Sequence, residues 1–173
     1  MKTLVIVSHP YPDSSNSIKA LENVARESAN VEVRNLESLY GNDSSKFDIA
    51  AEQAACEQAD RIVYLFPVHW FNITPMLKAY LNEVWSYGWA YGQGGEALQG
   101  KKMQVITTTG AVEQAYSRDA HIQCSIDDVL SPMKASALYV GMEYQAPIVF
   151  FDAMGPAADK LDGFKKVVAE TLA

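Results

Sequence analysis

Along the chain, short continuous apolar runs alternate with stretches in which apolar residues recur every three or four positions. The first pattern predicts strands covered on both faces, the second helices with one apolar side. Runs at residues 3–7 (TLVIV), 31–33, 61–66 (RIVYLF), 103–108 and 148–151 predict five strands. Between them, Ile18, Leu21, Val24 and Ala25 fall at helical spacing, as do Leu77, Tyr80, Leu81 and Val84. Residues 49–59 and 126–138 also read as helical. Leu161, Phe164, Val168 and Leu172 mark a last amphipathic helix over residues 157–172. Thr74 is placed to cap a helix whose first position holds Pro75, where the fixed ring torsion suits the helix.

Strands with helices between them imply an α/β fold, a five-stranded parallel sheet with helices on both faces. Right-handed crossovers leave few topologies, and the doubly wound order 2-1-3-4-5 is expected. In that order a ligand crevice opens at the carboxyl ends of strands 1, 3 and 4, where this chain carries its unusual residues. No repeat, low-complexity tract or linker interrupts it, so residues 1–173 are read as a single domain.

Composition narrows the partners. No apolar run approaches the roughly 20 residues that span a bilayer. The opening MKTLVIVSHP reads as a strand and not a signal peptide, because its apolar run is short and no small-residue cleavage site follows. A cytoplasmic location is expected. The formal charge of −7 and the sequence pI of about 4.9 argue against a nucleic-acid partner. Acidity would equally suit an electron carrier that docks on basic partners. Cys56 and Cys124 belong to no Cys-x-x-Cys or Cys/His cluster, so no metal site is expected and both read as partly buried thiols.

The loop after strand 1, residues 8–17, leads directly into a helix. A helix N-terminus offers free N–H groups and the positive end of a dipole, which suits a phosphate. Ser15, Asn16 and Ser17 add donors there, and His9 offers another. The competing reading is an ordinary Ser/Asn helix cap. No G-x-G-x-x-G or G-x-x-x-x-G-K-[ST] pattern is present, so neither a Rossmann nor an ATP site is indicated. After strand 3 come Pro67, Val68, His69, Trp70 and Phe71. Two adjacent aromatics at a strand's carboxyl end suit a flat conjugated ligand, with backbone N–H groups meeting its edge. The competing reading is core packing. After strand 4, Thr108, Thr109, Gly110 and Ala111 supply hydroxyls and open backbone, with Tyr116 just beyond. Each signal is weak alone; their convergence on one crevice is the argument. An insertion at residues 87–100 is rich in Gly and aromatics, including Tyr87, Trp89 and Tyr91.

With these residues in view, the chain resembles the NAD(P)H:quinone oxidoreductase family of the flavodoxin-like superfamily. The resemblance rests on Ser8-His9-Pro10, on Pro67 to Phe71 followed by Pro75-Met76-Leu77-Lys78, and on Thr108-Thr109-Gly110. Gly88-Trp89-Ala90-Tyr91-Gly92, Ala97-Leu98-Gln99-Gly100-Lys101 and Asp48-Ile49-Ala50-Ala51-Glu52-Gln53 look like its short bacterial branch. That branch includes the ancillary flavoproteins of glutathione-gated potassium efflux.

The resemblance implies FMN or FAD, a homodimer, and two-electron reduction of a quinone by NAD(P)H. It implies flavin contacts from His9, Ser15, Asn16, Ser17 and Ile18, from Pro67, Val68, His69, Trp70 and Phe71, and from Thr108, Thr109, Gly110 and Ala111. Tyr116 and His121 are candidates to stabilise the reduced ring or the quinone oxygen. Tyr87, Trp89 and Tyr91 are expected to roof the substrate pocket, from this subunit or its partner, against a plain reading as core or dimer interface. FMN is favoured because the short chain shows no extension for an adenosine. Two departures stand out: Ala111 replaces a frequent second glycine and requires a negative φ, and Asn16-Ser17-Ile18 places its Asn earlier than relatives do. The rivals are a flavodoxin-type carrier, disfavoured because no T-x-T-G-x-T follows strand 1, and a regulatory subunit of a potassium efflux transporter.

Overall fold

The computed structural model describes residues 1–173. Strand β1 (Thr3–Val7) is buried at every position, as an uninterrupted TLVIV requires of a central strand. Strands β2 (Val31–Asn35), β3 (Arg61–Pro67), β4 (Lys102–Thr108), β5 (Glu143–Tyr144) and β6 (Ile148–Phe150) complete the sheet. Its order is β2-β1-β3-β4-β5, with β6 also on β4, and every pairing is parallel. The flavodoxin-like order 2-1-3-4-5 expected from the sequence is the one found.

The fifth strand position differs from the expectation, because it is occupied by two pieces. Lys102 lies opposite Glu143, but Ile106 lies opposite Ile148, so one extra residue enters between them. Pro147 in that gap has no N–H to give a ladder. The Gln104 side chain bonds the Ala146 carbonyl there instead, at 3.1 Å.

Six helices cover the sheet: α1 (Ser17–Glu27), α2 (Leu36–Tyr40), α3 (Ile49–Gln58), α4 (Pro75–Val84), α5 (Ile126–Tyr139) and α6 (Ala158–Leu172). Period-2 alternation sorts the strand residues between faces. Leu4, Ile6, Tyr64 and Phe66 point toward α2, α3, α4 and α5. Val5, Val7, Val63 and Leu65 point toward α1 and α6. Helix α2 was not expected: five residues are too few to show a period, although Asn35 caps it by accepting from the Ser38 N–H at 3.0 Å. Glu52 on α3 is fully buried and holds Arg34 of β2, with Nη2 at 2.7 Å and Nε at 2.9 Å from its other oxygen. The two cysteines differ: Cys56 is buried and Cys124 is exposed.

Candidate functional site

Three loops leave the carboxyl ends of β1, β3 and β4, and hydrogen bonds tie them side by side. The Ser8 N–H reaches the Leu65 carbonyl, the Val68 N–H the Thr108 carbonyl, and the Thr109 N–H the Phe150 carbonyl. These bonds continue the sheet register by one residue past each strand, so the crevice has a rigid floor.

The first loop passes through a single 3-10 turn, Pro12–Ser14, and enters α1. Asn16 sits at the N-cap, yet its side chain makes no capping bond. Ser15, Ser17 and Ile18 are buried, and the Ser17 hydroxyl has no hydrogen-bond partner. A buried hydroxyl left unpaired costs about 1–3 kcal/mol. Here it stands among the free N–H groups of a helix start, the arrangement that receives an anion. A plain Ser/Asn cap does not describe this, since neither side chain caps. His9 is half-buried, and its Nδ1 accepts the Tyr11 N–H at 3.0 Å. Burial, and then the nearby His69, hold its pKa below the usual histidine value. At neutral pH His9 is therefore an uncharged Nε2–H donor.

The second loop makes a tight turn. His69 and Asn72 form an antiparallel bridge, and the two residues between them, Trp70 (φ +48°) and Phe71 (φ +58°), are both left-handed. Two successive positive φ values define a type I′ turn, normally built from Asn and Gly. An aromatic pair in that conformation stores strain on the order of 1 kcal/mol per residue. Trp70 is 87% exposed and Phe71 47% exposed, so the core-packing reading fails. Pro67, Val68 and His69 are half-buried at the strand end. The His69 ring lies 6.3 Å from that of Tyr11, which joins the first loop to the second.

In the third loop, Thr108 and Thr109 are buried. The Thr109 N–H and carbonyl are both bonded, to Phe150 and Ala153, and its hydroxyl donates to the Ala111 carbonyl at 2.8 Å. Ala111 is not left-handed, so the departure from a second glycine is sterically harmless. A Cβ on Gly110 would meet Met154 Cγ at 3.0 Å; this glycine serves space and not a turn. Tyr116 packs its ring 5.8 Å from Phe151. Burial raises its pKa, opposed by the Thr109 hydroxyl beside it.

An open cavity of about 530 Å3 adjoins Phe71 and is lined by His121, Ile122, Cys124, Asp128, Val129 and Pro132. His121 therefore does face the crevice side of the molecule. Tyr87, Trp89 and Tyr91 do not, and this corrects the expectation that they roof this chain's own pocket. They follow the carboxyl end of α4, which starts at the crevice and runs away from it. The Trp89 indole donates to Glu57 at 2.7 Å and packs against the core. Tyr87 and Tyr91 form an exposed edge-to-face pair, and Tyr91 lies 5.9 Å from Tyr139 at the far end of α5.

Sequence reasoning missed Phe151, Asp128 and Glu37. Phe151 had a visible signal, because it follows the last strand at its carboxyl end. Glu37 had none, since nothing in sequence shows it meeting Ser8. No group of three His, Cys, Asp or Glu side chains is placed to hold a metal ion.

A doubly wound sheet with an uncapped helix start and an exposed aromatic turn at one crevice has the shape and donors that suit a flat, anionic ligand. The chain belongs to the flavodoxin-like fold family (Flavodoxin_2), which it matches over residues 1–172. General stress protein 14 of Bacillus subtilis (strain 168) is 35% identical over 170 residues, 98% of this chain and 96% of the relative. A chain in a crystal structure described as a thermophilic tryptophan halogenase from Streptomycin violaceusniger has a TM-score of 0.92 and 33% identity over 96% of each chain. The general stress protein 14 of Treponema denticola in complex with FMN has a TM-score of 0.91 and 34% identity, covering 99% of this chain and 98% of that one. A putative quinone reductase from Klebsiella pneumoniae has a TM-score of 0.85 and 26% identity, over 99% of this chain and 83% of that one. The quinone-reductase resemblance read from the sequence accordingly holds.

Proposed function

We propose that this protein is an FMN-dependent NAD(P)H:quinone oxidoreductase. The observation that carries the reading is the pairing, across one crevice, of the unpartnered Ser17 hydroxyl at the start of α1 with the exposed, left-handed Trp70–Phe71 turn. One end fits a phosphate and the other a conjugated ring. FMN is favoured over FAD, and the Treponema denticola relative is described as an FMN complex. When bound, FMN supplies the two-electron hydride chemistry.

The residues divide the remaining work. Ser15, Asn16, Ser17 and the first-turn N–H groups of α1 hold the phosphate, with the Nε2–H of His9 nearby. Trp70 and Phe71 present aromatic surface and backbone N–H groups to the ring. Thr108, Thr109, Gly110 and Ala111 line its polar rim. Tyr116 keeps its proton and donates a hydrogen bond where negative charge develops. The cavity beside Phe71 and His121 takes a flat acceptor, and the nicotinamide uses that same open side. The oxidised nucleotide therefore leaves before the acceptor enters.

The test is direct. Purified protein loaded with FMN is expected to oxidise NADH or NADPH with a quinone and no partner reductase, giving parallel lines in double-reciprocal plots. A flavodoxin-type carrier would not turn over alone. Protein that neither quenches FMN fluorescence nor turns yellow rejects the reading. A twofold homodimer belongs to the proposal, supported by exposed Tyr87, Tyr91, Leu138 and Tyr139, because such apolar patches mark interfaces. Sedimentation at micromolar concentration tests it. A cytoplasmic location and association with a potassium efflux transporter rest on the sequence reading alone; cell fractionation and co-purification with a membrane protein test them.

A further inference from the structure

Beneath the crevice, a carboxylate that lines neither the ring turn nor the helix start ties two of the loops together. The Ser8 hydroxyl donates to Glu37 Oε1 at 2.8 Å, and Ser8 Oγ is also bonded to Thr74 Oγ1. A serine hydroxyl has one proton, and here the carboxylate takes it, so Thr74 is the donor of the second bond. Ser8 and Thr74 are fully buried, and Glu37 is 8% exposed. Ser8 begins the first loop, Thr74 ends the second, and Glu37 stands in the first turn of α2. Thr74 gives up its usual role for this contact: it occupies the N-cap of α4 without making a capping bond, a role normally worth about 1 kcal/mol.

Fold stability does not account for the arrangement. Glu37 Oε2 is buried without a partner. Burial pushes the carboxyl pKa up, opposed by the Ser8 hydroxyl and by the N–H groups of His9 and of Glu37 itself, with Glu22 adding to the rise. The unpaired oxygen of that carboxylate carries a desolvation cost that its bonds to Ser8 and to the backbone offset only in part.

We propose that Glu37 is a positioning residue for the cofactor: by orienting the Ser8 hydroxyl it fixes where the first loop leaves β1, and by leaving Ser8 Oγ to accept from Thr74 it fixes where the second loop enters α4. It thereby sets the spacing between the phosphate-holding start of α1 and the Trp70–Phe71 turn. The proposal rests on the FMN reading given above.

The test titrates apoprotein with FMN by fluorescence quenching and follows urea unfolding without flavin in parallel. Glu37→Ala and Ser8→Ala are each expected to weaken FMN binding by about tenfold, the scale on which supporting partners act. The double variant is expected to be no weaker than either single one, because both remove the same link. Glu37→Gln keeps an oxygen that accepts from Ser8 and is expected to restore binding to near the wild-type value. A merely structural role would shift the unfolding midpoint and leave the affinity of folded protein unchanged. Wild-type affinity in both single variants, additive losses, or a Glu37→Gln as weak as Glu37→Ala overturns the proposal. Should Glu37→Ala fail to fold, the small deletion in Ser8→Ala decides alone. A wild type that does not bind FMN overturns the functional reading and this inference together; a binding wild type with unaffected variants overturns only this inference.

Discussion

His69 and Asn72 exchange two backbone hydrogen bonds, at 2.8 and 3.1 Å, and so hold Trp70 and Phe71 in a turn that neither side chain favours. Asn tolerates the left-handed conformation better than Trp. Trp70→Asn is therefore expected to leave the free protein as stable as the wild type or up to about 1 kcal/mol more stable. FMN binding is expected to weaken by on the order of 1 kcal/mol beyond the lost contact area. Urea unfolding and a flavin titration check the two halves. A large stability loss with unchanged affinity would show that Trp70 serves the fold.

Ser17 separates phosphate from ring. Ser17→Ala removes a hydroxyl that has no partner in the protein, so the free fold is not expected to lose stability. FMN affinity is expected to drop by about 1.5–3 kcal/mol, the range for a hydrogen bond to a charged group. Riboflavin, which carries no phosphate, is expected to bind both proteins equally. An equal loss for the two ligands would move the phosphate away from the start of α1.

Tyr116 is held protonated. Burial raises its pKa, so the phenol remains a donor throughout the neutral range. Tyr116→Phe is expected to slow turnover by up to about 3 kcal/mol in the transition state and to leave measurable activity. The ratio of wild-type to variant rates is expected to stay constant between about pH 6 and about pH 9. A ratio that changes within that window would show that the phenol ionises there.

The ion pair between Arg34 of β2 and Glu52 of α3 bears on stability alone. Glu52→Ala removes the short bonds to the Arg34 guanidinium, which is 19% exposed, leaves it Glu32 at 3.7 Å and the Tyr40 hydroxyl at 3.4 Å, and is expected to cost about 3 kcal/mol. The double change Arg34→Met with Glu52→Leu is expected to recover most of that. Denaturant unfolding of the three proteins checks it, with FMN affinity per folded molecule unaltered in each.

The strands were legible because residues 3–7 and 61–66 are buried on both faces and need no alternation to be recognised. The fifth position was read as one strand because Glu143–Tyr144 is too short to carry a pattern and the offset at Pro147 is a matter of register. At the site, loop positions could be read from the sheet order, whereas the unpaired state of Ser17 depends on burial, which only the folded chain sets. Tyr87, Trp89 and Tyr91 lie away from this chain's own crevice for a directional reason. A helix that starts at the carboxyl end of β3 must finish near the amino end of β4, and their segment lies there.

The broken fifth strand also bears on how this acidic chain survives crowding. A sheet edge attracts foreign strands when it offers an unbroken row of N–H and C=O groups. Here that margin consists of a two-residue and a three-residue piece out of step with each other. The opposite margin, β2, carries Glu32 and Arg34, with Lys2 bridged to Glu32 at 3.7 Å. Neither border provides a template for fibril growth, so concentrated solutions are expected to stay clear, and closing the gap by deleting Ala146 would be the change that clouds them.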